Sequence, residues 1–229
     1  MEETNPISGA KIFLAEKRSC TRSAVHQTFH TFGLGRYDDG HNEPFGHLRT
    51  LNDETLGPGM TITHTAKRQL EIIVIPVIGA CECRTDSIHF KAEIGQVMHF
   101  PLEPGETVRI SNKFLGHPIS YLFIEIDSVC PVEREVIGFS LEEALNSLHQ
   151  LKIRSGHDFS IGLYDWRHEG CLSFDQHDQQ YFVYVIEGAF EVNDRLIQGR
   201  DGLALWGIKS LEYEALSDGA IILVIRLVP

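Results

Sequence analysis

Two stretches of this chain repeat each other. VIGACEC at Val77–Cys83 returns as IEGAFEV at Ile186–Val192, each time after a dense run of β-branched and aromatic residues. The turn glycines Gly79 and Gly188 lie about 110 residues apart, and Gly95 and Gly202 keep nearly the same offset. Duplication on that scale predicts two units of one kind, and 229 residues suffice for two cores. The runs between the glycines are short and alternate. Breaks at Asp86, Gly95, Pro104–Gly105 and Gly116–His117 space them as the strands of an all-β barrel or sandwich.

The stretch between the copies differs in kind. Pro131 stops the preceding strand, and Ser140 with Glu143 has the form of a capping box. Leu141, Ala144, Leu145, Leu148 and Leu151 follow at helical spacing, so a short helical connector is expected here. The expected division is a first barrel over 1–128, a linker over 129–158, and a second barrel over 159–229 completed by N-terminal or linker segments.

Charge and composition narrow the functions. A net charge of −12 argues against nucleic acid as a direct partner, because phosphate binding needs a basic face. No apolar run is long enough for a membrane-spanning helix, and MEETNPISGAKIF lacks the basic and apolar regions of a signal peptide. A cytoplasmic location without membrane association is the expectation. Five scattered cysteines, an odd number, suit reduced thiols. Cys81 and Cys83 sit two apart on one strand, about 6.5–7 Å between Cα atoms by strand rise, at or beyond the disulfide limit.

The segment GPGMTITHTAKRQLEIIVIPVIGACEC carries the chemistry that can be tested. Its spacing resembles the first cupin motif, G-x5-H-x-H-x3-E-x6-G. Counted from Gly59, the two histidine positions fall on Thr65 and Lys67, the glutamate on Glu71, and the closing glycine one residue late on Gly79. Residues i and i+2 of a strand share a face, so Thr65 and Lys67 are expected to point together into the barrel, and His64 away from it. A hydroxyl and an ammonium do not replace two imidazoles on a transition metal. Gly95, Pro101 and Gly105 begin a second motif that lacks its histidine. In the second copy the ligand positions hold Phe174, Gln176 and Gln180, with His177 alone nearby. His41 and His47 read as loop histidines.

The chain is similar to the pirin family of bicupins. The resemblance is carried by FGLGRYDD (Phe32–Asp39), HLRTLNDETLGPG (His47–Gly59), RQLEIIVIPVIGA (Arg68–Ala80) and LVIRLVP (Leu223–Pro229). It implies two cupin, jelly-roll-like β-barrels in tandem. Metal-bearing pirins hold iron through a histidine pair in an H-P-H-R segment and a later histidine and glutamate. Aligned through Arg68 and Glu71, the pair becomes Thr65 and Lys67; aligned through Pro104–Gly105, the later ligands become Ile110 and Asn112. The resemblance thus implies the bacterial pirin-like branch without a metal site and with no cofactor. Cys130–Pro131 matches a cysteine-proline of that branch, which makes Cys130 a candidate redox thiol.

Three readings of function follow. The first is a metal-free, non-catalytic binding or stress- and redox-response protein, its partner an unidentified small molecule or protein. The second is an enzyme working without metal, using a pocket of Thr65, Lys67, Glu71, Ile110 and Asn112, with Lys67 and Glu71 as an acid–base pair. The third is a quercetin 2,3-dioxygenase-like enzyme with relocated ligands such as His64, Glu71 and His99.

Overall fold

The computed structural model of the chain describes residues 8–33, 43–130, 133–143, 145–174 and 179–228. Most of FGLGRYDD, together with His41, Pro131, Ala144, Gln176 and His177, lies outside them. Apart from the single 3-10 turn Ala15–Lys17, the regular elements among the described residues are strands. They form two compact units. One comprises residues 18–139 with 153–156; the other takes in the chain up to Lys17, then Ser140–Lys152 and the residues from His157 onward.

In the first of these units a seven-stranded sheet runs in the order Glu135–Gly138, Gln96–Leu102, Leu70–Ile78, Ile119–Asp127, Leu48–Leu56, His26–His30, Ser19–Arg22. It faces a four-stranded sheet ordered Thr61–Thr65, Thr107–Ser111, Ala80–Arg84, His89–Glu93. Strand alternation fills the space between: Leu70, Ile72 and Val74 from one strand meet Met98, Phe100, Val108, Ile110, Tyr121 and Phe123. Cys81 and Cys83 join this core as free, buried thiols.

The second unit repeats that plan. Its six-stranded sheet runs Gly9–Phe13, Gly202–Trp206, Gln180–Glu187, Ala220–Leu227, Asp158–Tyr164, His149–Leu151. Its four-stranded sheet runs Glu169–Ser173, Ser210–Ala215, Ala189–Val192, Arg195–Gln198. Gly79 and Gly188 occupy the same turn of the two units, each at φ +77°. The second glycine pair behaves differently. Gly95 takes φ +83° in its turn, whereas Gly202 begins a strand and Arg200 holds the left-handed position at φ +75°.

Two expectations need correction. The units are sandwiches of unequal sheets rather than closed barrels, because among the described residues no ladder joins the edges of the wide sheet to those of the narrow one. Among the described residues the helical connector is also not formed. Ser140 Oγ does accept the Glu143 amide at 3.2 Å, as a cap would. But Asn146 turns left-handed at φ +64°, and His149–Leu151 pairs with Asp158–Tyr164 as an edge strand. One capped turn does not repay helix nucleation, while Leu151 is buried fully as part of a sheet.

Candidate functional site

Three neighbouring strands build a polar floor inside the first unit. Their register sets Thr28 beside Glu54, His30 beside Asn52, and Glu54 beside Tyr121. Leu56, Tyr121 and Phe123 of the same rows belong to the core, so this face looks inward. Glu54 is completely buried. Its Oε2 accepts from Thr28 Oγ1 at 2.7 Å and also meets His26 Nε2, while Oε1 accepts from Asn52 Nδ2 at 3.2 Å. Burial pushes the Glu54 carboxyl up, but the His26 and Thr28 hydrogen bonds outweigh it and hold the group below its usual range. A buried anion is thus fixed by three side chains.

An aromatic pair joins this floor to the narrow sheet above it. His64, on Thr61–Thr65, stacks on Phe123 with ring centroids 4.2 Å apart. Burial lowers the imidazole pKa against the attraction of Glu54, with His26 adding to the lowering, so the ring is neutral at neutral pH. His64 Nε2 and Tyr121 Oη are both closed off from solvent without a hydrogen-bond partner. Burial, reinforced by Glu54 and the two thiols, drives the Tyr121 pKa far above its usual value and keeps the phenol protonated. A neutral imidazole and a phenol therefore face the interior with hydrogen-bonding capacity to spare, and buried polar atoms rarely stay unpaired without a reason.

The residues singled out from the sequence do not assemble into one pocket. Thr65 and Lys67 are exposed, while Ile62, His64 and Ala66 turn inward or are buried. The strand parity is the reverse of that expected, which removes the Lys67–Glu71 acid–base pair. Glu71 is fully buried, but it alternates with Leu70 and Ile72 and so lies on the other face of the wide sheet. There its Oε2 meets His99 Nε2 at 2.9 Å, and His99 Nδ1 faces Glu135 Oε1 at 3.4 Å. His64, Glu71 and His99 therefore cannot form one ligand set. Ile110 is a core side chain. Asn112 points inward but is spent as a clamp: Nδ2 lies within 3.1 Å of the Leu56, Gly57 and His117 carbonyls, and Oδ1 accepts the Phe114 amide at 2.9 Å. Cys130 is an exposed free thiol, as are Cys20 and Cys171.

Sequence reasoning missed His26, Glu54 and Tyr121, and it expected His64 to point away from the interior. The available signal was the even-numbered polar set Asn52, Glu54 with Leu56, whose period places it on the same face as a core leucine. The residues at the family metal positions do not fit an iron or nickel site: two are exposed, one is aliphatic, and the amide of the fourth is occupied by backbone. Among the described residues, no three His, Cys, Asp or Glu side chains converge as ligands would.

Comparisons with known proteins agree with this architecture. Residues 146–227 match the family model described as the quercetinase C-terminal cupin domain. The pirin-like protein YhaK of Escherichia coli O157:H7 is 24% identical over 173 residues, covering 72% of this chain and 74% of the relative. The crystal structure of YhhW from Escherichia coli superposes with a TM-score of 0.84 at 18% identity, over 96% of this chain and 98% of that one. Bacterial pirin YhhW from the same organism, in complex with nickel(II), gives a TM-score of 0.82 at 17% identity, over 96% and 100% of the two chains. Sequence matches and fold together make this chain similar to the pirin-like proteins.

Proposed function

We propose that this pirin-like protein binds a small, planar, hydroxylated molecule inside its first unit, without a metal. The observation that carries the reading is the pair of unpartnered buried atoms, His64 Nε2 and Tyr121 Oη, with the anchored Glu54 carboxylate beside Tyr121 in the wide sheet. A neutral imidazole accepts a hydroxyl proton, a phenol donates to a carbonyl or hydroxyl oxygen, and the Phe123 and His64 rings favour a flat ligand. The protein acts as a sensor or carrier in this reading, with the exposed Cys130 thiol as a place for oxidative input. The cytoplasm is the proposed compartment; among the described residues no helix is long and apolar enough to cross a membrane.

A second reading is a quercetinase-like enzyme with displaced ligands. It is favoured by the inward turn of His64 next to a His26–Glu54 pair and by the nickel-bound neighbour. Elemental analysis after expression in metal-supplemented medium separates the two. The binding reading expects no stoichiometric metal, binding of a planar phenol such as quercetin in its absence, and loss of that binding in His64→Phe. Stoichiometric iron or nickel that is lost in His64→Phe, with turnover of quercetin on reloading, would establish the enzyme instead.

A further inference from the structure

The outer face of the four-stranded sheet in the first unit carries a second site of different chemistry. Register sets Thr63, Arg109, Arg84 and His89 in one row across the four strands. The next row holds Thr61, Ser111, Glu82 and Lys91. Arg84 and Arg109 are thus direct cross-strand neighbours, an arrangement of like charges that costs stability. Neither has an ion-pair partner among the described residues. The one carboxylate in the hollow, Glu82, is already committed to His89 at 3.2 Å and Lys113 at 3.8 Å.

A cavity of about 270 Å³ opens on this face, lined by Thr61, Glu82, Arg84, His89, Arg109, Ser111 and Lys113, with Thr63 and Lys91 outside it. At its floor the Thr61 and Ser111 hydroxyls hydrogen-bond at 2.9 Å, one of them with a proton free to turn outward. With three fixed cations against one carboxylate, the hollow is cationic on a chain of net charge −12. Two unpaired guanidinium forks at sheet spacing match the oxygens of a doubly charged oxyanion, each able to give two parallel hydrogen bonds.

We propose that this hollow binds a phosphoryl dianion, free or as a monoester of a small molecule. The anion would neutralise the facing Arg84 and Arg109 and so relieve their repulsion. The site is separate from the buried His64 region, on the opposite face of the narrow sheet, and stands whether or not that region binds a ligand.

The test uses the full chain, with inorganic phosphate, phenyl phosphate and chloride compared at equal ionic strength by thermal melting and titration calorimetry. Phosphate should raise the melting temperature beyond chloride and titrate saturably. Tighter binding of phenyl phosphate would identify a monoester, and equal binding the free anion. The Arg84→Gln, Arg109→Gln double variant should bind at least tenfold more weakly. Arg109→Gln alone should melt higher than wild type at low salt, because it removes the repulsion. Lys91→Gln, whose ammonium pairs with Glu93 outside the hollow, should bind as wild type does. Equal effects of phosphate and chloride, or unaltered phosphate binding in the double variant, would overturn the proposal.

Discussion

His64 lies almost flat against Phe123, 17° between the ring planes, and this contact binds the narrow sheet of the first unit to the wide one. The imidazole serves as an aromatic core residue on one side and presents an unpaired nitrogen on the other. Its ionisation is therefore coupled to packing.

Acid should weaken the fold in two steps. The His64 pKa is lowered from 6.5, chiefly by burial, and burial lowers His30 as well. Below about pH 6.5 the unfolded chain takes up protons that the native state refuses, so stability falls as pH falls. Glu54 acts in the lower window: its contribution is complete above 4.5 and is lost as pH drops through its depressed folded value. Urea midpoints should decline from pH 7.5 to 5.5 in wild type, and less steeply in His64→Phe.

Glu54→Ala should destabilise by about 3 kcal/mol, because it strands His26, Thr28 and Asn52 and opens a small cavity. Glu54→Gln keeps the shape and should cost less. Chemical denaturation at pH 7.5 reads both, and a change below about 0.5 kcal/mol for the alanine variant would contradict the buried network.

Asn112→Ala should cost about 2–3 kcal/mol despite removing no apolar packing, since its amide satisfies backbone carbonyls around the 56–57 and 117 turns. The measurement is again a urea midpoint, with faster amide exchange at Phe114 as the local signature.

Grafting histidines at the family positions should fail. Thr65→His and Lys67→His place imidazoles on an exposed surface, so even with Ile110→His and Asn112→Glu the four groups do not converge. Purified wild type should carry less than about 0.1 equivalents of iron, nickel, copper or zinc, and the fourfold variant no more. Elemental analysis after mild chelation decides it.

Thiol chemistry should sort the cysteines by exposure. A thiol reagent should titrate Cys20, Cys130 and Cys171 in the native protein, and Cys81 and Cys83 only after unfolding. The Cys83 thiol is held protonated by burial and by its neighbour Cys81, which slows it further. Mass spectrometry after peroxide treatment shows whether Cys130 oxidises ahead of the other two.

The duplicated all-β plan could be read from the chain because it rests on turn glycines and strand periodicity, both local. Gly79 and Gly188 declare themselves by a shared left-handed turn. The site could not be read the same way. Motif spacing put Thr65 and Lys67 inside by counting from Gly59, yet the inward face of a strand is decided by what it packs on, and Ile62 and His64 win that contest. A slip of one residue exchanges the faces completely. The Ser140 cap shows the same limit: its local signal was satisfied, and the long-range pairing of His149–Leu151 still prevailed.

The strand Gly9–Phe13 has a consequence for how the molecule is made. It forms the edge of the sheet that contains Gly202–Trp206, and the Ala15 amide is tied to Asp201 across 186 residues of chain. A ribosome therefore releases this strand long before its partner exists, while residues 18–139 can already close their own sandwich. Until Gly202–Trp206 has been made the early strand has no docking place, and afterwards it seals an edge that would otherwise invite foreign strands. Gly9 leaves room for this arrival: a Cβ there would collide with the Trp206 ring, so the seal depends on a residue with no side chain. Proteins lacking the first seventeen residues should translate normally and then self-associate through the open Gly202–Trp206 edge.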